Sequence, residues 1–193
     1  MYNTIAEEWA EARGKAGVSA LVTEFAGRVR TGGRILDIGC GTGWPVARYL
    51  SEKGFAVTGI DVSERMLEKA VAQGMKNASF HLCDFWDYVP DEPYDGIIAF
   101  DSFFHFPKAR QCEIYVRVSE WLVRGGRLLF THGNVNGEVE GTMFGEVFYY
   151  SALSTAEVHT LLAEAGFEIE VSLEKYKEGT EERDLVIVAR KLQ

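Results

Sequence analysis

Residues 35–43 read Ile-Leu-Asp-Ile-Gly-Cys-Gly-Thr-Gly, and their order decides the fold. An apolar run of Ile35, Leu36 and Ile38 ends in three glycines at alternate positions, Gly39, Gly41 and Gly43, and a helical pattern follows at once. A short buried strand, a tight turn and a helix start match that pattern. Glycine suits the turn because positive φ is open to it and its backbone can approach a ligand with no Cβ in between. The arrangement points to a site for an adenosine-type cofactor.

The glycine spacing argues against the dinucleotide version of such a site. A nicotinamide fingerprint runs Gly-x-Gly-x-x-Gly, its third glycine letting helix and strand pack closely. Counted from Gly39 and Gly41, that third place is Trp44. The largest side chain stands where the smallest is needed. Pro45 follows, tolerable only in the first turn of a helix, where its missing N–H would be unpaired anyway. The helix is therefore expected to start near Gly43 or Trp44.

Outward from this loop, strands and helices alternate. Residues 3–30 read as two helical stretches broken near Gly14 and Gly17. Strands are expected at 34–38, 55–60, 78–82, 94–100 and 127–131, with helices at 45–53, from Ser63 through Gln73, and from Pro107 to about Arg124, where Gly125-Gly126 stop it. Near-continuous apolar strands alternating with helices mean a parallel sheet covered on both faces. Residues 133–145 are polar and glycine-rich and read as a loop excursion at the carboxyl edge of the sheet. Ser154-Thr-Ala-Glu157 is a capping box opening a helix to Ala165. Two strands follow with no helix between them, 167–173 and 184–190, so their short charged link at 175–183 makes them antiparallel.

Composition narrows the function classes. The chain has 193 residues, 47% hydrophobic and 25% charged, normal for one globular domain. A net charge of −9 repels polyanions, and no dense Lys/Arg run is present, so nucleic acid is not expected as a partner. The start of the sequence lacks the pattern of a signal peptide, and no segment reaches the roughly 20 apolar residues of a membrane span. Cys40, Cys83 and Cys112 are an odd number with no CxxC pair, which fits reduced thiols and a cytoplasmic location.

From about residue 34 to the end, the chain resembles a class I S-adenosylmethionine-dependent methyltransferase of the small-molecule group, like methyltransferase domains 11 and 12. Five motifs carry the resemblance in order: 35–43 as the glycine loop, Gly59-Ile-Asp61-Val-Ser63 as the acidic second motif, Cys83-Asp84-Phe85 as the third, Tyr94 to Asp101 as the fourth strand and its exit, and Leu122 to Gly126 as the turn before the fifth strand. The resemblance implies an α/β, Rossmann-like, doubly wound and mostly parallel seven-stranded sheet with an antiparallel last strand. It implies one methyltransferase domain over 1–193: a helical cap to residue 33, a cofactor core at 34–131, and a substrate-side insertion, helix and hairpin at 132–193.

The resemblance also assigns roles. Gly39, Cys40, Gly41 and Gly43 form the cofactor loop, and Asp37 before them orients the loop or the cofactor's amino group. Asp61 accepts the ribose hydroxyls, the logic that places an acid in dinucleotide folds; a helix-start acid is the alternative. Asp84 takes the adenine amine, the Phe85 N–H meets a ring nitrogen, and Val62 and Phe85 flank the ring. Phe100, through its carbonyl, and Asp101 hold the methionine moiety. Arg13, four residues after Trp9 on the first helix, pairs with the cofactor carboxylate or is a solvated surface residue.

Methyl transfer asks mainly that the acceptor be held on the methyl axis in a dry pocket. Aromatic walls near the sulfonium, with Phe103, Phe104, Phe106, Phe144, Phe148, Tyr149 and Tyr150 as candidates, help through cation–π attraction. If the acceptor must lose a proton, His105 just beyond the fourth strand is the candidate base and His132 the second; a structural role suits His105 equally well. Glu138, Glu140 and Glu146 in the insertion attract an amine or are solvated. The Asp101-Ser-Phe-Phe104 exit lacks the signature of amino-methylating DNA enzymes, and no carboxylate set has metal-ligand spacing. The expected activity is methyl transfer from S-adenosylmethionine, with S-adenosylhomocysteine as product, to an O, N or C atom of a small molecule. A non-catalytic S-adenosylmethionine-binding regulatory module and an NAD(P)-dependent oxidoreductase are the alternatives.

Overall fold

The computed structural model describes residues 2–14 and 16–193. Met1 and Lys15, within the expected N-terminal cap, lie outside them. Helices α1 (Ala6–Arg13) and α2 (Ala20–Arg28) precede β1 (Arg34–Ile38); then come α3 (Val46–Glu52), β2 (Ala56–Asp61), α4 (Glu64–Ala72), β3 (Ala78–Leu82) and β4 (Tyr94–Ala99). After two 3₁₀ turns come α5 (Gln111–Trp121), β5 (Leu122–His132), β6 (Gly137–Met143), β7 (Glu146–Ala152), α6 (Thr155–Glu164), β8 (Phe167–Glu178) and β9 (Glu181–Lys191).

Seven strands form one sheet in the order β3-β2-β1-β4-β5-β9-β8. β3 to β5 are parallel; β9 runs antiparallel to both β5 and β8, so the expected sheet with its reversed last strand is present. Alternate residues of each buried strand feed opposite faces. Leu36, Ile97, Leu128, Phe130 and Ile187 pack with Ile114, Tyr115 and Val118 of α5 and Val158 and Leu162 of α6. Ile35, Val57, Ile98, Leu129 and Val186 pack with Leu21, Val22 and Phe25 of α2 and Ala47 and Leu50 of α3. Strand order reverses between β1 and β4, where the carboxyl strand ends open the crevice in which ligands of such sheets bind.

Four expectations at element level are corrected. The helix after Pro107 runs only from Gln111 to Trp121, and Gly125 and Gly126 lie inside β5, where the β4–β5 register shifts between Tyr94 and Gly96. The supposed loop at 133–145 contains β6, which pairs with β7 in a separate two-stranded hairpin. The charged stretch at 175–183 is mostly strand: β8 and β9 pair out to Glu178 and Glu181, leaving Gly179 and Thr180 as the turn. α3 starts at Val46, with Pro45 as its N-cap, slightly later than expected.

Candidate active site

The loop after β1 folds as its glycines allow. Gly39, Gly41 and Gly43 take φ of 71°, 53° and 74°. A Cβ on Gly39 would lie 2.5 Å from the Ser102 Cβ, so this position admits no side chain without displacing the β4 exit. Ser102 in turn donates to the Ile38 carbonyl at 2.8 Å, tying the β1 and β4 ends together. The Gly39 and Cys40 N–H groups both donate to the Ile60 carbonyl at the end of β2. Asp61 closes the arrangement, its two oxygens accepting from the Gly41 and Ser63 N–H groups at 2.8 Å each. Burial raises the Asp61 carboxyl above the usual range, while the Ser63, Gly41 and Val62 N–H groups work against it.

These ends enclose a slot of about 160 Å³. Asp37, Gly39, Cys40, Gly41, Asp61, Val62, Phe85, Phe100, Asp101, Arg13 and His105 all line it, so the structure gathers most of the expected residues. Gly43 and Asp84 fall outside the lining. Gly43 faces away, and a Cβ there would meet the Met75 methyl at 2.8 Å and the Phe80 ring at 3.3 Å, which makes it a packing glycine. Asp84 is exposed at the rim, accepting from the Trp86 N–H at 2.9 Å. Trp44, at the dinucleotide-glycine position, lines the mouth and donates through Nε1 to the Ala16 carbonyl.

At the floor, Asp37 is buried and its Oδ2 has no hydrogen-bond partner among the described residues. Burial, with the nearby Asp61 charge adding to it, raises its carboxyl from 3.8 to about 7. Such an orphaned acceptor is costly unless a ligand donor meets it. Asp101, with a left-handed φ of 59°, has the opposite character. Arg183 grips it with Nε at 3.0 Å and Nη2 at 2.9 Å, Arg13 adds a bond at 3.0 Å, and the Thr131 hydroxyl donates at 3.1 Å. Burial alone would raise the Asp101 carboxyl, yet Arg183 and then Arg13 hold it below its usual value. Arg13 is thus an inward-facing ion-pair partner stacked on Trp9 at 4.9 Å.

A broader cleft of about 740 Å³ adjoins the slot beneath the β6–β7 hairpin. Tyr2, Trp9, Arg13, Asp101 and His105 line both spaces and form the wall between them. Of the expected aromatic residues, Phe104 and Tyr150 line the cleft and Phe106 the slot. Phe103 and Phe148 are core, and Phe144 lies half exposed at the hairpin tip. The His105 ring is flanked by Phe104 at 4.7 Å and Tyr150 at 4.8 Å. Burial lowers its pKa from 6.5, opposed by the Tyr149 carbonyl and Asp101. His132 also lines the cleft, but both its ring nitrogens are engaged, with the Gly133 carbonyl at 2.7 Å and Gln111 Oε1 at 3.2 Å. Glu138 accepts from the Tyr149 hydroxyl at 2.5 Å, whereas Glu140 is exposed.

Sequence reading missed Tyr2 and Arg183. Tyr2 carries a weak signal, standing seven residues before Trp9, an aromatic that shares its wall. Arg183 carries none, since it lies in the run Glu181-Glu-Arg-Asp184, which reads as solvated surface.

Slot, cleft and strand order together define the class I methyltransferase architecture. A methyltransferase domain family model matches residues 9–171, and the chain belongs to that family. Among curated relatives, it is 33% identical over 135 residues to methyltransferase GfsG of Streptomyces halstedii, covering 66% of this chain and 48% of that protein. It is 33% identical over 106 residues to the 27-O-demethylrifamycin SV methyltransferase of Amycolatopsis mediterranei strain S699, covering 52% of this chain and 38% of that protein. These matches span less than half of either relative's length. Among solved structures, the DhpI–SAH complex superposes with a TM-score of 0.76 at 24% identity, covering 99% of this chain and 93% of that one. The resemblance read from the sequence is borne out at the level of family and fold. No helix among the described residues is long and apolar enough to cross a membrane.

Proposed function

We propose that the chain acts as one methyltransferase domain, moving a methyl group from S-adenosylmethionine to an O, N or C atom of a small molecule by in-line displacement. The observation that carries this reading is the unpartnered Oδ2 of buried Asp37 at the floor of a glycine-walled slot. A carboxylate there calls for a cationic donor, and the cofactor's α-ammonium is one. When bound, S-adenosylmethionine supplies a methyl group already activated by its sulfonium.

The chain's residues do the holding. Asp61 keeps lone pairs for the ribose hydroxyls beyond those that the Gly41 and Ser63 N–H groups use. Val62 and Phe85 flank the adenine, and Asp84 takes its amine at the open rim. The Phe100 carbonyl and the Asp101 region face the methionine part, where Arg13 can exchange Asp101 for the cofactor carboxylate. In this reading the acceptor enters from the cleft beside Tyr2 and His105, and holding it on the methyl axis is the main contribution an enzyme makes to this chemistry. The cleft's size, and a relative named for 27-O-demethylrifamycin SV, support a small-molecule acceptor.

The oxidoreductase reading is disfavoured by Trp44 at the third glycine place. A non-catalytic sensor would bind the cofactor without turnover. The test is calorimetric titration with S-adenosylhomocysteine and, separately, NADH, followed by an acceptor screen that reads S-adenosylhomocysteine release. Binding of the former alone, with turnover of an acceptor, supports the reading. Absence of S-adenosylhomocysteine binding, or preference for NADH, overturns it.

A further inference from the structure

Tyr2 stands in the wall shared by slot and cleft, and its hydroxyl lies 2.8 Å from His105 Nε2. The other ring nitrogen of His105, Nδ1, lies 2.9 Å from the Tyr149 carbonyl oxygen. A carbonyl only accepts, so Nδ1 carries the proton and Nε2 presents a lone pair. The Tyr2 O–H is then the donor to Nε2. The nitrogen through which His105 could act as a base is covered by Tyr2, and Tyr2 Oη keeps lone pairs of its own. Tyr2 is held there by ring contacts with Trp9 at 5.7 Å, Phe148 at 5.0 Å and His105 at 5.5 Å.

Resting on the methyl-transfer reading above, we propose that Tyr2 and His105 form a two-residue proton relay, with Tyr2 the group that touches the acceptor and His105 the final proton holder. The relay selects acceptors whose nucleophilic atom carries a proton, a hydroxyl or an N–H. As that atom bonds to the methyl carbon, the carbon–sulfur bond breaks and its electron pair stays on sulfur. The acceptor's proton passes to Tyr2 Oη while the Tyr2 proton passes to His105 Nε2. Tyr2 ends as the phenol it began as, and His105 ends as an imidazolium whose Nδ1–H still bonds the Tyr149 carbonyl. The positive charge lost by the sulfonium reappears on His105, so charge balances.

Neither residue performs this task alone. Burial pushes the Tyr2 phenol well above its usual value, Tyr150, Asp61 and Asp101 add to this, and Arg13 opposes it. A lone phenol so placed holds its proton. His105 cannot reach an acceptor through Nε2 while Tyr2 occupies it. On protonation, the Tyr149 carbonyl and Asp101 support the imidazolium against the cost of burial.

The test is nitrogen-15 NMR of the histidine side chains in the S-adenosylhomocysteine-saturated protein, comparing wild type with Tyr2→Phe and assigning His105 by its loss in His105→Gln. The expected spectrum shows the Nδ1–H tautomer. The Nε2 resonance of neutral His105 should shift in Tyr2→Phe, because its lone pair no longer accepts the Tyr2 hydrogen bond. An Nε2–H tautomer, or an Nε2 resonance unchanged in Tyr2→Phe, overturns the relay. In parallel, simple phenols and primary amines serve as acceptor probes. On any probe turned over, Tyr2→Phe should lower kcat on the order of 10²-fold with KM little changed. The double variant should be no slower than the slower single one. An unchanged kcat in Tyr2→Phe also overturns the relay. Failure to bind S-adenosylhomocysteine would sink the methyl-transfer reading itself, whereas binding with the wrong tautomer sinks the relay alone.

Discussion

Replacing Asp37 with Asn should stabilise the ligand-free protein and weaken cofactor binding at the same time. The wild-type carboxyl is buried with Oδ2 unpartnered, and its pKa is raised from 3.8 to about 7, burial being the main cause. Because the folded-state value lies above the unfolded one, the wild type is favoured in acid and loses stability as pH rises from 3.8 through 7, with little change beyond. At 1.36 kcal/mol per pKa unit, the full penalty is about 4 kcal/mol at pH 8 and about 2 kcal/mol at pH 5. Asn keeps the side-chain shape and cannot ionise. The stability gap between Asp37→Asn and wild type, from urea unfolding, should therefore widen by roughly 2–3 kcal/mol between pH 5 and pH 8. Losing a charged hydrogen bond to the ligand should weaken S-adenosylhomocysteine binding by roughly tenfold to a hundredfold. A gap that does not change with pH would refute the reasoning, since Asp37 would then have no raised pKa.

Three further substitutions probe the frame of the site. Gly39→Ala places a Cβ 2.5 Å from that of Ser102 at a φ of 71°; the left-handed strain alone costs about 1–2 kcal/mol, so urea unfolding should show a larger loss, together with loss of S-adenosylhomocysteine binding. Arg183→Met leaves buried Asp101 with Arg13 and Thr131 but without its bidentate partner; a loss of about 3 kcal/mol at pH 7 is expected. Asp101's lowered pKa gives stability that is present above the unfolded value and lost as pH falls, so this variant's acid dependence should be shallower. Ser154→Ala removes the capping box of α6 and should cost about 1 kcal/mol by the same assay, with S-adenosylhomocysteine affinity unchanged.

The sheet was legible because its central strands, β1, β4 and β5, carry runs buried on both faces. Ile35, Leu36 and Ile38, broken only by Asp37, and Gly96 to Ala99 form near-continuous apolar runs, and glycines or capping residues mark the ends of their neighbours. Legibility failed where polar composition and strand geometry coincide. In β6, Val139 and Met143 alternate with Glu138, Glu140 and Thr142, the period of a strand with one wet face, but Gly137 and Gly141 suggested a loop. A Cβ on Gly141 would lie 3.0 Å from the Tyr150 ring, so that glycine makes room for a cross-strand aromatic. The outer half of the β8–β9 hairpin is charged because β8 is a sheet edge, where charge discourages further pairing. Within the site, the strand-end residues were read from their place at the carboxyl ends of the strands together with the family resemblance. The Asp101–Arg183 pair joins residues 82 positions apart and the Tyr2–His105 pair residues 103 apart, and such pairings follow only from the closed fold.

The central claim, a cofactor site built on the β1–β2–β4 strand ends, is tested most directly by calorimetric titration of S-adenosylhomocysteine into wild type and Asp61→Ala, with NADH as the control ligand. The account predicts saturable wild-type binding in the micromolar range. It predicts that binding tightens as pH rises from 5.5 to 8 with ionisation of Asp37, is lost in Asp61→Ala, and is absent for NADH. NADH binding in preference, or S-adenosylhomocysteine binding indifferent to both Asp61→Ala and pH, would contradict it.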